Sequence, residues 1–306
     1  MPDREPLVSV IVPVYNRAAL LPRLIESLKA QTFDRLEMVF VDDGSDDGSL
    51  EIMRQHDEIR ALHQDNRGPA AARNAGLAVA RGEIVHFLDS DTIAPPDLVR
   101  VHAEAHRRLP RHIVQGQVVR ILDPGDAFEV PMGPRHYARP FFATGNVSVR
   151  REFVEAAGGF DEVNFRLGWE DLDLGLRLRR LGVAVKRLYR RGFVWHLETD
   201  ISREEEFRAF IDRRRTEGRT ALDFYRKHPG WRTRMMTMTG RPFLWLDALL
   251  FDDERLRSPV FYRRVRSLWR SGRKARAAAL LRWAATHFYL RGVRERMAEG
   301  GMEEVL

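Results

Sequence analysis

The sequence predicts an α/β fold, a mostly parallel sheet flanked by helices, with a basic helical extension behind it. Three observations carry this expectation. Strand-length apolar runs alternate three times with helical patterns within the first ninety residues, the arrangement of a parallel sheet covered on both faces. Three of those runs end in polar signatures, Tyr15-Asn16, Asp42-Asp43 and Asp89-Ser90-Asp91. Charge is also divided: residues 201–306 carry 24 Lys/Arg against 14 Asp/Glu, and residues 1–200 carry 27 against 30. We therefore expect a catalytic-type domain over 1–200, with halves 1–110 and 111–200, and a helical basic region over 201–306. A chain of 306 residues can hold one large core and such an appendage.

Taken in order, Val8 to Val14 is a first buried strand, stopped at Tyr15-Asn16. Leu20, Leu21, Leu24, Ile25 and Leu28 recur at helical spacing. Leu36 to Val41 is a second strand, and Asp42-Asp43-Gly44-Ser45 follows it. A short helix from near Asp47 leads to a weak strand around Ile59 to Leu62, and capping that helix is the structural alternative to a ligand role for Asp42 and Asp43. Pro69 to Ala80 is an alanine-rich helix with proline at its first position. Ile84 to Leu88 is a strand ending in two carboxylates at i and i+2, Asp89 and Asp91. Alternate residues of extended backbone point the same way, so both face one ligand, and a hard divalent cation suits them. Further on, Phe141 to Arg150 alternates like a strand. Gly168-Trp169-Glu170-Asp171 opens a helix with Leu174, Leu178 and Leu181 as its stripe and Gly182 as its stop. His196 follows the apolar run Gly192 to Trp195, and Ser202 to Lys227 reads as a long polar helix.

The absence of cysteine excludes disulfides and thiolate chemistry. The charged N-terminus does not resemble a signal peptide and no run reaches membrane-span length, so a cytoplasmic location is expected. A dinucleotide domain would want G-x-G-x-x-G after the first strand, where Pro13-Val14-Tyr15-Asn16-Arg17 stands, and there is no P-loop.

Pro13-Val14-Tyr15-Asn16, Val41-Asp42-Asp43-Gly44-Ser45, Ala72-Arg73-Asn74-Ala75-Gly76 and Asp89-Ser90-Asp91, in this order, resemble glycosyltransferase family 2 over about residues 7–198. The resemblance implies a GT-A, Rossmann-like fold, a nucleoside-diphosphate sugar donor (a UDP-sugar favoured), a Mn or Mg ion and inversion at the anomeric carbon. Carried over by motif, Pro13, Tyr15, Asn16, Asp43, Arg73 and Asp89 bind the donor and Asp91 holds the metal. Asp42 is left with structural work. Residues 141–196 are similar to the acceptor-side segment of galactosyl- and N-acetylgalactosaminyltransferases, which implies Asp171 as the general base and Trp169 and Glu170 as acceptor-site residues. The same resemblance implies His196 as a second metal ligand. One base suffices for such chemistry, because a metal takes the charge of the departing diphosphate. A helix N-terminus lowers a carboxylate's pKa, so Asp171 is expected to be partly desolvated.

Processive synthases of the family carry Gln-x-x-Arg-Trp. Here Ala279 stands in the glutamine's place before Arg282-Trp283, which predicts a non-processive enzyme. The acceptor is expected to be a glycan or a lipid-linked hydroxyl, its pocket shaped by loops such as Asp123 to Pro140. From Arg255 to Arg296 there are 13 basic residues and one acidic, with Phe261, Tyr262, Trp269, Trp283, Phe288 and Tyr289 interleaved. This segment is expected to dock on an anionic membrane face, or else to pack its apolar side inward. A sugar-1-phosphate nucleotidyltransferase would want a Gly-rich loop after the first strand, and no nucleic-acid motif accompanies the basic tail, so no nucleic acid is expected.

Overall fold

The computed structural model describes residues 4–121, 142–188, 191–197, 204–250 and 252–300. Its strands are β1 (Val8–Val14), β2 (Leu36–Asp42), β3 (Ile59–His63), β4 (Ile84–Leu88), β5 (Thr92–Ile93), β6 (His112–Gln115), β7 (Gln117–Ile121), β8 (Asn146–Arg150), β9 (Ala184–Arg187) and β10 (Phe193–Leu197). Its helices are α1 (Leu21–Lys29), α2 (Ser49–Arg54), α3 (Pro69–Val79), α4 (Leu98–Arg108), α5 (Arg151–Ala156), α6 (Glu170–Arg180), α7 (Glu204–Lys227), α8 (Trp231–Thr237), α9 (Arg241–Leu250), α10 (Asp253–Arg257), α11 (Pro259–Arg270) and α12 (Lys274–Glu299). They form two compact units, one of residues 1–166 with 170–198, the other of 167–169 with 199–306.

The first unit is built on a seven-stranded sheet in the order β3-β2-β1-β4-β8-β6-β9. β3, β2, β1 and β4 run parallel, and β8 is antiparallel to both β4 and β6. Alternation within each strand feeds two cores. Val8, Val10, Val12 and Val14 of β1 pack with Leu21, Leu24, Ile25 and Leu28 of α1 on one face. Ile11, Val39, Val41, Val85 and Phe87 meet Ala70, Ala72 and Leu77 of α3 on the other. Truncating one of these, Leu24→Ala for instance, costs about 2–5 kcal/mol in such a core. A second sheet, β5-β10-β7, pairs β10 antiparallel with β5 and parallel with β7.

One patch under α4 departs from the apolar rule. His86 of β4 and Ser148 of β8 point to that face, and His102 and His106 of α4 cover them, all four buried. The rings of His86 and His102 stack at 4.1 Å, and the Ser148 hydroxyl lies 2.7 Å from His102 Nδ1 and 2.8 Å from His106 Nε2. Burial pushes the imidazoles down, His86 to about 4, His106 to about 3 and His102 well below its ordinary value, so all three are neutral.

Several local expectations change. The strand expected over 141–150 begins at Asn146, because Ala143 to Gly145 turn, with Asn146 N–H donating to Ala143 O. α2 starts at Ser49 behind Gly48 and takes no cap from Asp42 or Asp43; Asp47 Oδ1 accepts from Ser49 N–H instead. Leu181 is 42% exposed rather than buried, because α6 has already ended at Arg180. The stop itself is as expected: Gly182 sits at φ +79°, and Val183 N–H reaches back to Leu178 O.

In the second unit α7 lies along α12. Gly218 and Gly292 permit the approach, since a Cβ at either would run into a backbone carbonyl, that of Tyr289 or of Arg215. Arg215–Glu295 (2.7 Å), Arg219–Glu299 (2.7 Å) and Arg296–Asp223 (2.9 Å) pair the two helices. The apolar side of the basic tail turns inward here: Tyr262, Val265, Leu281 and Phe288 are buried with Phe207 and Ile211. No helix among the described residues is long and apolar enough to cross a membrane.

Candidate active site

The carboxyl ends of β1, β2 and β4 lie side by side, which is where open α/β sheets place ligands. After β1, Tyr15 is half exposed and Asn16 adopts φ +52°, a left-handed turn that asparagine tolerates. Asn16 N–H donates to Ser45 Oγ (2.9 Å), and its Oδ1 accepts from Asp46 N–H (3.0 Å), so it braces the loop after β2. Asp42 is buried, accepts from Ser45 N–H and lies 2.8 Å from His63 Nδ1, which gives it the structural work expected. Asp43 accepts from Gln64 Nε2 (2.7 Å), Arg67 N–H (2.9 Å) and Gly68 N–H (2.8 Å), and so holds the entry to α3.

Arg73, buried on α3, reaches two carboxylates at once. Its Nη2 donates to Asp89 Oδ1 and its Nη1 to Glu170 Oε1, each at 3.1 Å. Its neighbour Asn74 grips the loop before α6, donating to Phe160 O and accepting from Phe160 N–H. Gly145 touches the same cluster, because a Cβ there would stand 2.9 Å from Asp89 Oδ2.

The small sheet sets the opposite wall. His196 on β10 pairs with Thr92 on β5, and Leu197 N–H donates to Asp91 O (2.8 Å). His196 Nε2 thereby lies 3.2 Å from Asp91 Oδ1. Ligand atoms of Asp89, Asp91 and His196 all fall within 4.8 Å of one another. Asp91 Oδ1 is buried without a hydrogen-bond donor, and burial raises its pKa against the opposing effect of His196. Asp89 has Arg73 on one oxygen, but the two carboxylates and the imidazole together still offer a donor set that fits a divalent ion. Arg17, which the sequence analysis passed over, has Nη2 3.8 Å from Asp91 Oδ2. Its signal was a cation next to Asn16 at the end of β1.

Glu170 and Asp171 open α6. Glu170 is buried and turned to Arg73. Asp171 keeps some exposed surface, yet the protein around it desolvates the carboxyl and, with Glu170 adding repulsion, pushes it up to about 7. The Leu172 N–H bond to Asp171 Oδ1 (2.6 Å) opposes that rise. Trp169 belongs to the second unit: its indole N–H donates to Glu217 O (2.9 Å), and its ring packs on Phe224 and Tyr289. The segment from Asp123 to Pro140 lies outside the described residues.

Residues 9–161 match the family profile described as glycosyl transferase family 2. The chain belongs to that family. It also matches, over residues 127–200, a second profile described as the N-terminal domain of galactosyltransferase. It is 43% identical over 98 residues to glycosyltransferase GlyG of Streptococcus pneumoniae, a match covering 30% of this chain and 33% of that protein. It is 31% identical over 223 residues to validoxylamine A glucosyltransferase of Streptomyces hygroscopicus subsp. jinggangensis, covering 59% and 53%. The chain thus spans about a third of the one family 2 relative and about half of the other. Among solved structures it resembles a mannosyltransferase of Pyrobaculum calidifontis in complex with GDP-Man and Mn2+ (TM-score 0.60, 21% identity, 98% of this chain and 89% of that one). It also resembles S. aureus TarS 1-349 in complex with UDP-GlcNAc (TM-score 0.54, 18% identity, 96% and 92%). These likenesses show the GT-A fold.

Proposed function

We propose that this chain is a non-processive, inverting, metal-dependent glycosyltransferase that moves a sugar from a nucleoside-diphosphate sugar to a hydroxyl of a glycan or lipid-linked acceptor. The observation that carries the reading is the Arg73 bridge, which ties Asp89 of the donor motif to the residue beside Asp171. In this reading Tyr15 and Asp43 flank the nucleotide base, Asp89 takes the ribose with Arg73 behind it, and Pro13 and Asn16 shape the loop over the donor. Asp89, Asp91 and His196 would hold the divalent ion, which supplies charge for the departing diphosphate. Arg17 adds a second positive group on that side.

Asp171 takes the proton from the acceptor hydroxyl as that oxygen attacks the anomeric carbon from the face opposite the diphosphate. A pKa of about 7 leaves the carboxyl substantially ionised near neutral pH and still basic enough for that work. Glu170 is a positioning residue. A UDP-sugar is favoured as donor, in keeping with the UDP-GlcNAc in the TarS structure, and the setting is cytoplasmic assembly of cell-surface polysaccharide. Thermal shift with Mn and a panel of nucleoside-diphosphate sugars tests the reading. One uridine donor is expected to raise the melting temperature only with Mn, and no shift with any member of the panel would overturn it.

A further inference from the structure

Two consecutive helices of the second unit expose large apolar side chains. On α9, positions 242, 245, 246 and 249 share one face, and Pro242, Trp245, Leu246 and Leu249 fill them. Trp245 is 69% exposed, Leu249 67% and Leu246 49%. The opposite face holds Asp247, which is buried, accepts from Arg294 Nη1 (2.7 Å) and lies 3.1 Å from His287 Nδ1. Phe243 and Leu244 pack inward beside it, so the helix already has its core contact and the stripe of Pro242, Trp245, Leu246 and Leu249 is apolar surface beyond what the fold uses. α8 repeats the pattern with Trp231, Met235 and Met236 exposed on one side, and the Arg232 guanidinium lies 5.4 Å from the centre of the Trp231 ring. Trp283 on α12, exposed, stands one turn before His287 and so on the side of α12 that α9 covers.

Charge identifies the occupant. From Pro259 to Arg294 the chain has ten basic residues and no acidic one. Arg263, Arg264, Arg270, Arg273, Arg276 and Arg282 are exposed. A second copy of the chain would set two strongly basic units against each other, and like charges oppose such an interface. An anionic bilayer offers hydrocarbon at headgroup depth for tryptophan, methionine and leucine, and phosphates for arginine. We propose that α8 and α9 form an interfacial anchor that seats the second unit on an anionic lipid bilayer. The anchor's apolar part is then mainly the 231–250 segment, while the 255–296 segment supplies charge, leaves Trp283 exposed and buries Tyr262, Val265, Leu281 and Phe288. The inference deepens the lipid-linked acceptor reading, but its test uses no turnover.

Full-length protein would be sedimented with phosphatidylcholine vesicles, with and without phosphatidylglycerol, at low and high salt. It is expected to pellet only with the anionic vesicles, less at high salt, and with indole fluorescence quenched by brominated acyl chains. The double variant Trp245→Glu, Leu249→Glu touches only exposed positions. It is expected to bind vesicles at least about tenfold more weakly, the worth of roughly one buried apolar side chain, with an unchanged melting temperature. Its binding of UDP with Mn is also expected to be unchanged, and that measurement reports on the catalytic reading separately. No pelleting with anionic vesicles at low salt, or full vesicle binding by the double variant, would overturn the proposal. So would a dimer in solution that the double variant dissociates, because it would assign the face to a second copy.

Discussion

Arg73 and Glu170 meet at 3.1 Å across 97 positions of sequence, both buried, and the same guanidinium holds Asp89. Breaking a buried pair leaves an uncompensated charge. Arg73→Ala is therefore expected to cost about 3–5 kcal/mol, read from urea denaturation. The double change Arg73→Met, Glu170→Leu removes both charges and is expected to recover most of that stability without recovering turnover. Recovery of both would reduce the bridge to a packing element.

Asp171 sets the pH response of the proposed reaction. A base must be ionised, so kcat/KM is expected to rise with pH through about 7. Asp171→Asn is expected to lower turnover by roughly 10²–10⁴ while donor binding persists. The same substitution has a stability signature. The folded chain keeps the proton up to about 7 and the unfolded chain only to the ordinary carboxyl value of 3.8, so the group's contribution is present below 3.8 and lost as pH rises through 7. Asp171→Asn is thus expected to raise the melting temperature at pH 8 relative to the parent and to change it little at pH 3.5. An unchanged melting temperature at pH 8 would show that the carboxyl is not desolvated.

Asp91 is expected to carry the metal dependence. Asp91→Ala removes a buried oxygen that has no donor of its own, so the fold is expected to persist. Calorimetry with UDP is expected to show that Mn strengthens binding to the parent and not to the variant. Equal affinities in the presence of Mn would move the ion elsewhere.

The histidines under α4 make the first unit acid-sensitive. In the unfolded chain they take protons near 6.5, and in the folded chain His86 does so only near 4 and His106 near 3. Their contribution is complete above 6.5 and is lost as pH falls below it, by about 1.4 kcal/mol per pH unit for each histidine. Asp171, whose pKa is raised, offsets part of this. Between pH 6 and 5, His106→Leu is expected to flatten the stability profile by about one proton's worth. A slope equal to the parent's would mean that His106 is protonated when folded.

Much of the strand-end geometry around Asp89 and Asp91 was legible because its signals are local. An apolar run followed by Asp-x-Asp specifies a strand end and two carboxylates facing one way, and β4 ends as that pattern requires. Contacts that depend on long-range pairing were not legible. Nothing near Arg73 announces Glu170, and nothing near Gly145 announces Asp89. The interior of the tail was ambiguous for another reason: Phe261, Val265 and Phe288 read the same whether they face a bilayer or α7, and only the packing of α7 on α12 decides. The outward stripe of α9 was missed because its spacing is that of an ordinary core helix, and only the packed structure shows that Phe243, Leu244 and Asp247 face in while Trp245 and Leu249 do not.

The pairing of β10 with β5 also governs when Asp89, Asp91 and His196 can first come together. Asp91 leaves the ribosome 105 positions before His196 (196 − 91), and Leu197 N–H, which fastens the Asp91 carbonyl, follows one residue later. At about 5–20 residues per second that gap lasts roughly 5–20 s. During it the nascent chain carries Asp89 and Asp91 without an imidazole opposite them. A chain ended before residue 196 would keep both carboxylates and lack the imidazole, so under the proposed metal role the three-residue group is completed only late in synthesis.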